Sequence, residues 1–299
     1  MAGIVLLAAL LGGALLGLLG GRDRPPAVVR FSAEEVRELW LGYGEAELQL
    51  QREDGTWWVL RPEPRRPARG DRVMAALSEL SAARRARTVT AQAPERSERY
   101  GLDQANRLTL RVRLRDGTAH ELTLGSDAEE GTYYREPEGE GVALSDRALR
   151  RLLPDELAHY LERRVFPEGI EPGRIRRLQV DAPGDRYELQ YERFESWLAP
   201  ERELQPHAPE VRVMLAALDR LNGDDLRNVG ELQLDDPDAR VSAVSDTGRR
   251  YELELHILDH DVWAVGRGPG SLPGGFASRL HPDDVVRVLR PLRDLAGVP

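Results

Sequence analysis

The sequence predicts an α+β protein of two homologous repeats, each an antiparallel sheet covered by helices, behind one N-terminal transmembrane helix. Three observations carry this expectation: one module is written twice in the same order, the strand segments alternate apolar and polar residues, and Ala2 to Gly21 is an uncharged apolar run. In the first copy a Trp-containing strand at Gly55 to Pro62 leads to a helical run at Val73 to Leu80, then to Tyr100 to Gly125. In the second, Trp197 to Pro200 leads to Met214 to Leu221, then to Leu232 to His256. The helical runs align Val73 with Met214, and the later segments align Leu102 with Leu234. A duplicated module without a dense cluster of reactive side chains points away from a single asymmetric catalytic site.

The expected organisation is an anchor at residues 1–21, a linker and short helix at 22–44, repeat unit 1 at 45–153, a linking helix at 154–174 and repeat unit 2 at 175–299. Two units of this size can each bury a core. The apolar run of about 20 residues is long enough to span a hydrocarbon layer of about 30 Å. A cleaved signal peptide is the rival reading, but the run lacks a positively charged start and an A-x-A site before Arg22. No Cys follows it, so it is not a lipoprotein anchor. The body is expected on the extracytoplasmic side, although Arg22 and Arg24, counted by the positive-inside rule, point the other way and Asp23 offsets only one of them.

Taken in order, Ser32 and Glu35 stand at capping-box spacing before a short helix. Leu48 and Leu50 share a strand face, and Glu53 to Gly55 turns the chain into the strand TWWVL. The prolines of Arg61 to Gly70 forbid a helix, and Asp71 is placed to cap the helix carrying Val73, Met74, Leu77 and Leu80. Between Leu108 and Arg115, Leu108, Leu110, Val112 and Leu114 alternate with Thr109, Arg111, Arg113 and Arg115, so one face is buried and one wet. For Leu122 and Leu124 to reach the same buried face, the loop must hold an odd number of residues. The three residues Arg115-Asp116-Gly117 satisfy this, with Gly117 in the left-handed region. In the second copy the loop Asp246-Thr247-Gly248 places Val241 and Ala243 with Leu253, Leu255 and Ile257 on the inward face. Aromatic strands follow at Gly131 to Arg135 and Val262 to Gly266, and terminal helices are expected from Ser145 and from near Pro282, the latter interrupted at Pro291.

Composition excludes several chemistries. All 42 basic residues are Arg, so there is no P-loop, Schiff-base or general-base lysine. With no Cys there is no disulfide, zinc-thiolate site, iron–sulfur cluster or thiol nucleophile. The net charge of −9, with both signs interspersed, argues against a nucleic-acid partner.

The segment His256 to Asp261 invites a metal, but in an extended strand His256 and His260 lie about 13 Å apart, too far for one ion. A turn could bring them together, and a solvated hairpin tip accounts for Asp259 and Asp261 equally well. The loop Gly266 to Gly275 looks like a phosphate cradle, yet Pro269 and Pro273 each remove a backbone donor, so it reads as a strand-to-helix loop. Glu129 with Glu130 and Asp283 with Asp284 are adjacent pairs better suited to solvent and to a helix start than to acid–base catalysis. Arg111, Arg113 and Arg115 form a stripe that reads as an outer sheet face balanced by Glu121, with anion binding the alternative. Trp58, Trp197 and Trp263 read as core or sheet anchors at matched positions, with a ligand platform the alternative. Ser126 and Ser145, the serines a hydrolase would need, fall in turn or cap contexts. No catalytic, cofactor-binding or metal-binding residue is assigned, and no cofactor is expected.

The motifs Trp58 to Pro62, Tyr100 to Leu110, Leu122 to Glu136, Tyr160 to Pro167 and Trp197 to Pro200 occur behind the apolar run in an order that resembles a bacterial domain-of-unknown-function family, number 4340. The resemblance covers about Glu45 to Pro299, and Leu232 to Leu234 departs from the YGL motif of the first copy. It implies a membrane-anchored repeat protein found with ABC-type export systems that include gliding-motility-like subunits; it assigns no catalytic residues. The function expected is a non-enzymatic accessory or binding component of an envelope ABC-type transport assembly, single-pass in the bacterial inner membrane and with protein partners there. The alternatives are an envelope module binding polysaccharide or peptide without a transporter, and a hydrolase.

Overall fold

The computed structural model describes residues 25–295 except 92–93, 138, 140, 194–195 and 274. The expected anchor lies outside the described residues, and among those described no helix is long and apolar enough to cross a membrane. Contacts divide the chain into two compact units, residues 1–65 with 69–160, and 66–68 with 161–299.

In the first unit the strands are β1 (Val36–Tyr43), β2 (Ala46–Glu53), β3 (Thr56–Arg61), β5 (Arg85–Thr90), β6 (Leu108–Leu114), β7 (Ala119–Asp127), β8 (Thr132–Arg135) and β9 (Val142–Ser145). The two-residue β4 (Arg66–Pro67) falls with the second unit. The second unit contains β10 (Ile175–Ala182), β11 (Asp185–Tyr191), β12 (Trp197–Leu198), β13 (Asp225–Asn228), β14 (Ala239–Ser245), β15 (Arg250–Leu258), β16 (Asp261–Arg267) and β17 (Phe276–Leu280). The first unit's strands run β3-β2-β1-β6-β7-β8-β9-β5, the second's β12-β11-β10-β14-β15-β16-β17-β13. Strand for strand this is one topology, used twice.

Each unit opens with the same device. In the first, Val28 N–H donates to the Ala83 carbonyl at 3.1 Å and Arg85 N–H to the Pro26 carbonyl at 2.8 Å; in the second, Val165 donates to Leu221 at 3.0 Å and Gly223 to Arg163 at 3.0 Å. A strap thus joins the end of the helix, a 3-10 turn follows, and the central strand begins with a bulge, between Val36 and Glu38 or between Ile175 and Arg177. The capping box of Ser32 and Glu35 is present, but it starts only the turn Ala33–Glu35. The short helix expected beyond it is instead β1, whose Leu39 and Leu41 are fully buried between β2 and β6.

The odd loops hold. Leu110 pairs with Leu122 and Val241 with Leu253, leaving three residues between Leu114 and Thr118 and between Ser245 and Arg249. Gly117 at φ 91° and Gly248 at φ 80° take the left-handed position that a Cβ would strain. Ile257 is the exception to the expected inward face, being 62% exposed. Its strand runs past the end of β14, where Leu255 already pairs with the first residue, Ala239.

Helix α1 (Gly70–Ala82) buries Val73, Ala76, Leu77 and Leu80; α3 (Ala208–Asp219) buries Val211, Met214, Leu215 and Leu218. The matching stripes pair Val73 with Val211, one helical turn from the alignment with Met214. The cap of α1 is Arg69, with Asp71 in the first turn bound to the Arg69 guanidinium at 2.6 Å. The linking helix is the single turn α2 (Leu157–Tyr160). Where a helix was expected from Ser145, β9 ends and a 3-10 turn, Arg150–Leu152, follows. The second unit has the expected pair α5 (Pro282–Val288) and α6 (Leu292–Leu295), broken before Pro291, while the one-turn α4 (Val229–Leu232) follows β13. Buried phenols staple these ends to the sheets: the Tyr43 and Tyr160 hydroxyls donate to the Pro154 carbonyl at 2.8 and 3.0 Å, and Tyr187 to the Arg290 carbonyl at 2.6 Å. Burial pushes Tyr43 up to about 12 and raises Tyr160 and Tyr187 as well.

Candidate functional site

The hairpin tip between β15 and β16 carries His256, Asp259, His260 and Asp261, the metal-type ligands that the sequence singles out. A two-residue turn, Asp259 at φ 51° and His260 at φ 73°, joins β15 to β16, the left-handed pair that a tight hairpin requires. His256 pairs with Trp263 and is 7% exposed; burial holds its imidazole below the ordinary range. His260 belongs to the turn itself. No group of three His, Asp or Glu side chains among the described residues could hold a metal ion.

His256 sits beside Trp263 of a second, smaller core, where Leu232, Trp263, Val265 and Ala277 cluster. The first unit has a counterpart in Leu102 and Val142 with Tyr100 and Tyr133 packed against them. Registers equate Gly125 with His256. A Cβ on Gly125 would stand 2.0 Å from the Tyr100 carbonyl oxygen, so backbone fills in one unit the space an imidazole fills in the other. The helices therefore do not cover only one face of each sheet, as the alternating pattern had implied.

Trp197 is buried on the inward face, but its equivalent is Trp57, 2% exposed, because Arg52 pairs with Trp57 as Tyr191 pairs with Trp197. Trp58 points the other way, beneath the Arg65 guanidinium at 4.1 Å, and Trp263 belongs to the outer cluster. The three tryptophans thus occupy different positions rather than matched ones.

Arg113 lies 3.4 Å from Glu38, which is 9% exposed, and the guanidinium groups of Arg113 and Arg111 stand 5.2 and 5.9 Å from the Trp40 ring centre. Arg111 is opposite Glu121 in the register. Arg115, with Arg37, Arg52, Glu53 and Asp54, lines an open cleft of about 520 Å³ in which Arg52 is paired with Glu34 at 3.1 Å. At the position equivalent to Arg115 the second unit has Asp246, bound to Arg174 at 3.0 Å. Glu129 and Glu130 are exposed in a bend, and Asp283 and Asp284 open α5, with Asp284 bound to Arg287 at 3.1 Å.

Of the two serines, Ser145 is tied into the fold by its hydrogen bonds and Ser126 stands at the surface. Ser145 is fully buried; its hydroxyl accepts from Thr132 N–H at 2.9 Å and lies 2.6 Å from the Arg147 carbonyl, to which it donates. Ser126 is exposed next to Gly101, whose added Cβ would stand 2.2 Å from its Oγ. Among the described residues of Gly266 to Gly275, Leu272 N–H donates to the Val165 carbonyl at 3.2 Å and Ser271 N–H to Gly268 at 3.3 Å, so these amides serve the loop rather than an anion.

One recess gathers polar side chains that sequence reading did not single out. Arg85 on β5 donates from Nε to the Tyr134 hydroxyl at 3.0 Å and from Nη2 to Glu136. Thr88, Gly139, Gly141, Val142 and Ala143 complete a cavity of about 220 Å³ beside the paired ends of β8, β9 and β5. The bond to Tyr134 raises the Arg85 pKa, and burial raises that of Tyr134, so the pair stays cationic guanidinium and neutral phenol. Arg85 and Thr88 are some fifty residues from Tyr134 and Glu136 in sequence, and the fold brings the two groups together.

A family described as a domain of unknown function (DUF4340) matches residues 58–240, from β3 of the first unit into β14 of the second. No curated protein and no solved structure matches the chain.

Proposed function

The chain belongs to the DUF4340 family, and we propose that it is a non-enzymatic, membrane-tethered accessory or binding component of an envelope ABC-type transport assembly, its body on the extracytoplasmic side. The observation that carries the reading is the repetition of one strand order without, among the described residues, a polar constellation common to both units. Three of the side chains that sequence singled out have structural roles that support the reading: Ser145 ties β9 to β8, His256 is buried beside Trp263, and Arg113 balances Glu38. A scaffold of this kind offers surfaces rather than a reaction centre, and the apolar run at Ala2 to Gly21 supplies the tether. The second reading, an envelope module that binds polysaccharide or peptide without a transporter, draws on the Arg85–Tyr134–Glu136 recess.

The test is purification of the full chain from native membranes in mild detergent. Transporter subunits should copurify, and the chain should resist carbonate extraction. A carbonate-soluble chain that begins after Gly21 defeats the tether, and recovery without any transporter subunit defeats the transport role.

A further inference from the structure

We propose that the recess formed by Arg85, Thr88, Tyr134 and Glu136 in the first unit binds a neutral, hydroxyl-rich ligand the size of one sugar ring. The inference rests on the second reading, for which it names the ligand class, and does not depend on the transport role. Its starting point is what the second unit does with the same place. Registers equate Tyr134 with Ala264, Ala143 with Ser278 and Glu136 with Gly266. A Cβ on Gly266 would stand 2.7 Å from Val165 Cγ1 and 2.8 Å from the Val165 oxygen. The strap of the second unit therefore lies directly on the sheet there, with Val165 and Phe166 buried to 0% and 1% exposure. Gly223, which meets that strap as Arg85 meets its own, has no side chain either. The first unit carries Arg85 and Glu136 at these two positions, and a recess of about 220 Å³ stands where the second has packed backbone and valine.

The chemistry of the lining selects the ligand. Arg85 and Glu136 compensate each other, so a carboxylate or phosphate meets Glu136 and an ammonium meets Arg85. Hydroxyl groups meet neither penalty, because each both donates and accepts. Tyr134 accepts from Arg85 and keeps its own proton to donate, Glu136 offers a second carboxylate oxygen, and the Thr88 hydroxyl serves either role. Ala143, paired with Tyr134 on the same face of the sheet, gives the C–H face of a ring an apolar contact. The volume is below the roughly 300–1,000 Å³ usual for larger ligands, which limits the occupant to a single ring or the end of a chain.

The experiment is saturation-transfer NMR on the full chain in detergent, with glucose and N-acetylglucosamine as neutral probes and acetate as the anionic one. Transfer to the ring protons of at least one sugar, and none to acetate, is expected. Glu136→Gln and Thr88→Val should each weaken that sugar's binding, the first by roughly tenfold, as for loss of one hydrogen bond to a charged group. Melting temperatures identify any variant that fails to fold; Thr88→Val leaves the Arg85–Glu136 pair intact and keeps the test decisive. Absence of transfer to both sugars, displacement of sugar by acetate, or unchanged binding in the folded variants overturns the proposal.

Discussion

The two units share a strand order, an opening strap and two three-residue loops, yet differ wherever a side chain is not needed for the fold. Position 125 is glycine under a crossing backbone in the first unit, and its equivalent in the second is the buried His256. Position 136 is a glutamate facing a recess; its equivalent is Gly266 under a strap. Arg115 faces an open cleft, while Asp246 closes on Arg174. The comparison teaches that the strand order and its buried leucines hold the fold, while the strand ends, the outer faces and single inward positions such as Tyr134 and Ala264 have diverged.

The largest effects should come from the shared inward faces. Leu110→Asp and Leu255→Asp each put a carboxylate among fully buried side chains, and each should cost about 3–5 kcal/mol, read as a large fall in melting temperature. Arg113→Asp, on the wet face, should cost about 1 kcal/mol rather than nothing, because it replaces the partner of the shielded Glu38 with a like charge. Equal melting temperatures for all three would contradict the assigned faces.

The divergent position 125 sharpens the comparison at the next level. Gly125→Ala must displace the Tyr100 carbonyl and should cost about 1–3 kcal/mol by overpacking. His256→Ala removes atoms from a cluster at the sheet's outer face and should cost less. The reverse order in denaturant unfolding would break the equivalence of the two sites.

The smallest effect is on pH. Burial depresses the His256 pKa, so the unfolded chain takes up that proton first as pH falls. The stability held by the neutral ring is complete above the unfolded value of about 6.5 and declines below it, through the folded value. His256→Gln should flatten this acid limb of the melting temperature, whereas an unchanged limb would place the titration elsewhere.

Much of this fold is legible in sequence, because period-two alternation and loop parity are local. Leu108 to Leu114 and its partner loops show their buried face directly, as do the turns at Gly117 and Gly248. The helix signal at Ser32 and Glu35 misleads because it caps only one turn, and a bulge after Val36 spoils the alternation that would mark β1. Two adjacent tryptophans hide which one faces inward, since the two-residue turn Asp54-Gly55, which sets Trp57 opposite Arg52, decides it. His256 is buried beside its cross-strand partner Trp263, and the recess joins Arg85 to Tyr134 and Glu136. These contacts join separate strands and have no local pattern to announce them.

The most direct test of the central claim is rescue of a deletion strain by a chain carrying Asp259→Asn, His260→Asn and Asp261→Asn, which clears the hairpin tip of its acids and imidazole but leaves buried His256 in place. Asn tolerates the left-handed backbone at positions 259 and 260. Full rescue is predicted, since a scaffold that works by its surfaces has no reaction at this tip. Loss of rescue with melting temperature and membrane level unchanged would contradict the non-enzymatic account.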